Sequence, residues 1–147
     1  MPSTIQERQQ AILDEFALFD DWMGRYEYLI ELGRSLPLIE ETYKTEAHRI
    51  HGCQAQVWLR AACEDDVVYY KADSDALITK GLIALLVRVL SGQPPEAIAE
   101  AKLTFLDEIG LQDHLSPTRK NGLRAMVQQM KRYARTQHDP APNGVPS

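Results

Sequence analysis

Gln56-Val57-Trp58-Leu59-Arg60-Ala61-Ala62-Cys63-Glu64-Asp65-Asp66-Val67-Val68-Tyr69-Tyr70 is the stretch that decides the fold of this chain. Val57, Leu59, Ala61 and Cys63 recur at every second position, the period of a strand that buries one face. Glu64-Asp65-Asp66 is a short polar turn, and the β-branched and aromatic run from Val67 to Tyr70 follows it. The pattern predicts a hairpin. On the same pattern Cys63 shares the inward face with Val57, Leu59 and Ala61, so packing accounts for it as a core residue.

Outward from the hairpin the period becomes helical. Ser3 and Thr4, with Gln6 and Glu7 three residues on, form a capping-box pattern before Ile5, Ile12, Phe16 and Phe19. Asp20 and Asp21 restart the pattern for a second helix carrying Trp22, Tyr26, Leu29 and Ile30, which stops near Gly33 before Pro37. Leu36 to His51 lacks clean periodicity and is expected to be a long connection. Past the hairpin, Asp73 or Ser74 is expected to cap a helix from Leu77 to Leu90 that is apolar around most of its circumference and therefore buried. Gly92 and Pro94-Pro95 end it. Short helices follow over Glu96 to Ala101 and over Thr104 to Ile109, the second closed by Gly110. Ser116-Pro117 starts the last helix, with Leu123, Met126, Val127, Met130 and Tyr133 on one face. Helices, then a central hairpin, then helices again make an α+β domain with a small antiparallel sheet packed against N- and C-terminal helices. Residues 1–137 read as one domain, and the proline-rich 138–147 as a disordered tail.

A chain of 147 residues is long enough to bury roughly 70% of its unfolded surface and to stand without staples. Its net charge of −5 argues against nucleic acid as the main partner, since phosphate binding wants a basic face. There is no charged-then-apolar leader pattern and no apolar run long enough to cross a bilayer. Two cysteines in different settings do not make a disulfide framework, and the thiols suit a reducing compartment, most simply the cytoplasm.

The chemistry points to Cys53. It follows Gly52 and precedes Gln54, Ala55 and Gln56, poor neighbours for a core, at the mouth of the first strand. A thiol on a turn held by a rigid scaffold is a common arrangement for a reactive residue. Gly52 lets the backbone take a positive φ or swing, and Arg49, His48 and His51 are close enough in sequence to lower the thiol pKa. The competing reading is a small buried residue, since unpaired cysteines are among the most buried types. A second alternative is a metal or cluster scaffold in which Cys53 joins His48 or His51, although no Cys-x-x-Cys knuckle is present. A third is a binding module whose cysteine is incidental. Asp73-Ser74-Asp75 is explained by helix capping alone. Arg119 sits in the first turn of the last helix, where a cation opposes the helix dipole unless it reaches an anionic partner.

Gly52-Cys53-Gln54-Ala55-Gln56-Val57-Trp58, Asp73-Ser74-Asp75-Ala76, Lys80-Gly81-Leu82-Ile83-Ala84, Leu115-Ser116-Pro117-Thr118-Arg119 and Gly122-Leu123 come in the order seen in SufE proteins. With Leu29-Ile30-Glu31-Leu32-Gly33 and Leu36-Pro37, the chain resembles that family over nearly everything but the tail. The family's pattern often has serine at the position of Ala55, a departure that leaves the nucleophile in place. The resemblance implies a fold similar to the IscU-like iron–sulfur scaffold proteins. It also implies a sulfur acceptor that takes persulfide sulfur from a cysteine desulfurase of the SufS or CsdA type, stimulates that enzyme and delivers sulfur to an iron–sulfur scaffold complex. On this resemblance the protein is a non-autonomous transpersulfurase with no cofactor of its own, the desulfurase carrying pyridoxal phosphate, and either a monomer or a homodimer. Cys53 becomes the accepting residue, while Gly52, Gln54, Asp75 and Arg119 organise its loop and the contact with the partner.

Overall fold

The computed structural model describes residues 3–136. The tail expected over 138–147 lies outside these residues, as do positions 1, 2 and 137 of the expected domain. Helix α1 spans Ile5–Phe16 and begins with the expected capping box. Thr4 accepts from the Glu7 N–H, and the Glu7 side chain accepts from the Thr4 N–H in return. Asp21 caps α2, Trp22–Arg34, by accepting from the Gly24 N–H at 2.8 Å. Two 3-10 turns, Glu41–Tyr43 and Glu46–His48, break up the connection that follows.

Strands β1, Val57–Glu64, and β2, Val67–Ser74, pair antiparallel in the register Val57 to Ser74 and Glu64 to Val67. Asp65 and Asp66 both take positive φ, 53° and 65°. A two-residue turn of that hand matches the right-handed twist of the strands it joins. Leu38, Arg49 and Gln93 each add a single bridge along the outer edges of the hairpin. The connection between α2 and β1 is tied to the sheet by Lys44 against Asp73 at 2.7 Å and Lys71 against Glu40 at 2.9 Å. Its Ile39 and Ile50 are buried.

Helix α3, Leu77–Leu90, is the centre of the molecule and packs on α1, α2, β2 and the last helix, α7 (Pro117–Thr136). Burial of its Leu82, Ile83, Leu85, Leu86, Val89 and Leu90, each at most 1% exposed, contributes about 1.5–3 kcal/mol per side chain before conformational entropy is charged against it. It crosses α2 at two glycines. A Cβ on Gly81 would stand 2.4 Å from the Leu29 carbonyl oxygen, and one on Gly33 would stand 3.1 Å from the Gly81 nitrogen. Only bare backbone fits between the two helices there. Neither Asp73 nor Ser74 caps α3, because β2 runs through both and the helix starts after Ala76 with no side-chain cap.

The short helices α4 (Pro95–Glu100), α5 (Phe105–Glu108) and α6 (Leu111–His114) lead to α7, Pro117–Thr136. Helices α4 and α5 occupy the expected places. Helix α6 has no counterpart in the sequence expectation and follows Gly110, whose φ of 78° turns the chain. Two buried polar groups pin distant parts together. Tyr70 donates from β2 to the Met130 carbonyl of α7 at 2.6 Å, and burial raises its pKa well above the usual phenol range. Gln9 of α1 donates to the Lys102 carbonyl and accepts from the Phe105 N–H, both at 3.2 Å.

The hairpin corrects one expectation. Cys63 is exposed and not core, although Val57, Leu59 and Ala61 on the same face are buried. From Ala62 onward β1 is exposed at every position, so the strand keeps its alternation after it has run out of helices to pack against.

Candidate functional site

The loop between Ile50 and Val57 is pinched at its base from both sides. The Ile50 N–H donates to the Val57 carbonyl at 2.8 Å, and Arg49 bridges Trp58. On the other side Asp75 Oδ1 accepts from the Gln56 N–H at 3.0 Å, and the Asp75 N–H donates to the Gln56 carbonyl at 3.3 Å. The first expected loop organiser, Asp75, therefore holds the end of the Cys53 loop. The second, Gly52, has a φ of 96°, a conformation that L side chains rarely adopt.

Between these clamps the chain turns inward and Cys53 points at α7. Its Sγ lies 3.6 Å from the Gly122 carbonyl, an S–H···O contact. Close approach is possible because Gly122 has no side chain; a Cβ there would lie 3.4 Å from Sγ and 3.8 Å from Cys53 Cα. A Cβ on Gly52 would likewise come within 3.3 Å of Ala125. The thiol is therefore half-buried between loop and helix and does not stand free on a turn.

It opens on a cleft of about 220 Å³ walled by the loop, by Ala76 and Thr79 at the start of α3, and by Thr118 and Arg119 at the start of α7. Gln54 lies on its wall. Thus Cys53, Gln54 and Arg119 share one cleft, with Gly52 and Asp75 shaping the loop that forms its rim. A larger cleft, of about 580 Å³ and bordered by Arg8, Leu36 and Arg88, lies away from the thiol.

The electrostatics differ from the sequence expectation. Burial pushes the Cys53 thiol above its ordinary value, and the nearby Arg49 only partly opposes the rise. Burial thus strengthens the thiol's ordinary preference for its protonated form, because a thiolate here would lose solvation that one guanidinium does not replace. His51 is largely exposed, with its ring 3.9 Å from the Glu46 carboxylate. His48 is 1% exposed, packs edge-on to Tyr43 and faces the Thr45 hydroxyl through Nδ1 at 3.4 Å. Among the described residues, no three of His, Cys, Asp and Glu come together as a group able to hold a metal ion.

Arg119 is exposed at the cleft rim. Its N–H donates to the Ser116 hydroxyl that starts the helix, and its guanidinium makes no ion pair with any other described residue. Sequence reasoning did not assign roles to Gly122 or Thr79, which lie far along the chain from the cysteine. Gly122 carried one usable signal. A glycine inside a helix costs about 1 kcal/mol relative to alanine, so its presence there marks a close approach.

A family model described as "SufE: Fe-S metabolism associated domain" matches residues 10–134. The chain belongs to the SufE family. Relatives named SufE-like include one from Rhizobium meliloti (strain 1021), 39% identical over 128 residues that cover 84% of this chain and 91% of that protein. A SufE-like protein of Synechocystis is 36% identical over 132 residues, 90% of this chain and 83% of its own length. SufE-like protein 1 of Arabidopsis thaliana, named as chloroplastic/mitochondrial, is 38% identical over 135 residues. Those residues are 91% of this chain but only 35% of the plant protein. The solution structure of a hypothetical protein from Thermus thermophilus superposes with a TM-score of 0.73 at 25% identity, covering 88% of this chain and 94% of the other. Membership assigns the chain to Fe–S metabolism. Among the described residues no helix is long and apolar enough to cross a membrane.

Proposed function

We propose that this SufE-family protein accepts sulfur on Cys53 from a cysteine desulfurase and passes it on for iron–sulfur cluster assembly. The Cys53 thiolate attacks the terminal sulfur of the donor's persulfide. A new S–S bond forms at Cys53, the donor's S–S bond breaks, and the donor cysteine leaves as thiolate, so no external oxidant or reductant is consumed. The desulfurase, with its pyridoxal phosphate, supplies the sulfur, and this chain needs no cofactor of its own. Delivery to a scaffold complex repeats the exchange with Cys53 as the leaving group.

The observation that carries this reading is the placement of Cys53. A single thiol stands on a loop clamped at both ends, aimed into a cleft at the surface. Half-burial and the contact with Gly122 keep it protonated and away from oxidants until a partner draws it out. Outward motion about Gly52, with release of the Asp75 clamp, exposes and ionises the sulfur for attack. Arg119, uncommitted at the rim, is placed to meet an acidic group of the desulfurase.

Mass spectrometry of the intact protein after incubation with a desulfurase, its cofactor and free cysteine tests this reading. The protein should gain sulfur that reductant removes and that maps to Cys53. An adduct on Cys63 alone, or none, would refute it.

A further inference from the structure

Helix α3 begins at the Cys53 cleft without a side-chain cap. The first N–H groups of a helix that long carry a partial positive charge and favour an anion nearby. That alone makes no site, but Thr79, in the same first turn, adds an independent observation. It is only 7% exposed, lines the cleft, and its hydroxyl has no hydrogen-bond partner among the described residues. Threonine in a helix commonly satisfies its hydroxyl on the carbonyl of the preceding turn. Thr136 of α7 does so with Arg132 at 3.1 Å. Thr79 instead keeps a donor turned to a cavity whose other wall is the Cys53 loop. A hydroxyl that opens into the cleft with no protein partner is a donor left available to whatever occupies the cleft.

The cleft is empty of protein next to a thiol whose own S–H is already engaged by Gly122. A persulfide is one sulfur longer, the added atom sitting about 2 Å beyond Sγ. It ionises more readily than a thiol, so it arrives as an acceptor-only anion. The surface that meets it combines an uncapped helix start, a hydroxyl donor and the Arg119 side chain.

We propose that Thr79 donates a hydrogen bond to the terminal sulfur of the Cys53 persulfide, fixing it in the cleft against the start of α3. This rests on the sulfur-acceptor reading above. It assigns the two states of Cys53 different partners: the thiol is held by the Gly122 carbonyl, and the persulfide by Thr79. Thr79 thereby sets how long the loaded protein keeps its sulfur, with little influence on whether it is loaded.

Thr79→Val keeps the volume and removes the hydroxyl, and Thr79→Ser keeps the hydroxyl. Each variant and the parent are loaded by a desulfurase with free cysteine, freed of small molecules, and followed by mass spectrometry as dithiothreitol strips the sulfur. The pH dependence of alkylation of the terminal sulfur is recorded in parallel. A hydrogen bond to a charged group corresponds to about tenfold in an equilibrium or rate. Thr79→Val should therefore lose its sulfur about tenfold faster and show an alkylation midpoint moved to higher pH, while Thr79→Ser matches the parent. Parent-like retention and midpoint in Thr79→Val overturn the assignment while leaving Cys53 as acceptor. So does equal loss in both variants, which would point to packing. Failure of the parent to load at all would instead overturn the acceptor reading, and this inference with it.

Discussion

The two cysteines reverse their expected places. Cys63 lies on the apolar face of a strand and is exposed, while Cys53 lies among glycine and amides and is half-buried. Alternation states which way a side chain points but not whether anything covers it there. At the tip of β1 the residues from Ala62 to Glu64 stay exposed. In the Cys53 loop a helix from the far end of the chain closes over a polar segment, because Gly122 offers bare backbone to the sulfur. A partly covered thiol with a defined cleft suits controlled chemistry better than an open one.

Exchanging the two roles is the severest way to break this contrast. Cys53→Ser should abolish stimulation of desulfurase turnover, and Cys63→Ser should leave it within error of the parent in the same assay. Full stimulation by Cys53→Ser would mean that the protein acts by contact alone.

Native-state alkylation sharpens the contrast without mutation. Cys63 should be modified several-fold faster than Cys53 at neutral pH, as read by mass mapping after a timed pulse. Burial holds the folded-state pKa of Cys53 above the ordinary thiol value of 9.0, so its alkylation rate should still be climbing at a pH where an ordinary thiol has levelled off. A raised folded-state pKa means that the native state binds the proton more tightly than the unfolded chain. That contribution is complete below about pH 9 and fades as pH rises through the folded value. Cys53→Ala should flatten the alkaline loss of stability, and Cys63→Ala should not.

Gly52→Val combines a φ of 96° with a 3.3 Å approach to Ala125. It should cost about 1–3 kcal/mol in denaturant unfolding and slow sulfur uptake. Parental uptake in this variant would remove Gly52 as the pivot of the loop. Asp75→Ala deletes only the exposed acceptor of the Gln56 N–H. A loss of about 1 kcal/mol or less is expected, together with several-fold faster Cys53 alkylation as the closed loop opens more often. The smallest effect belongs to the hairpin tip. Replacing Asp65-Asp66 with Asn-Gly, which suits the positive φ of both residues, should raise stability by about 0.5 kcal/mol and leave sulfur uptake untouched.

Much of the fold is legible where neighbours in sequence are also neighbours in space. The Thr4 capping box, the Asp65-Asp66 turn and the all-round apolar α3 each follow from local patterns that the structure keeps. Misreadings occur where sheet and helix compete for the same residues. Ser74 looks like a cap but remains in β2, which leaves α3 uncapped at the cleft. At the site, Cys53 and Gly52 stand out by composition, because a thiol beside glycine and amides is out of place in a core. Gly122 shows only as a glycine within a helix and Thr79 gives no sign at all, since their meaning is the 220 Å³ they share with a cysteine distant in sequence.

The amino-acid order alone determined an α+β chain with a central hairpin, a buried third helix and one chemically conspicuous thiol, because periodicity, caps and turn residues act over a few positions. Tertiary structure decided which cysteine is covered, that the covering helix meets it through a glycine carbonyl, and that its pKa is pushed up and not down. Those outcomes depend on desolvation, and desolvation is set by whatever segment arrives from elsewhere in the chain.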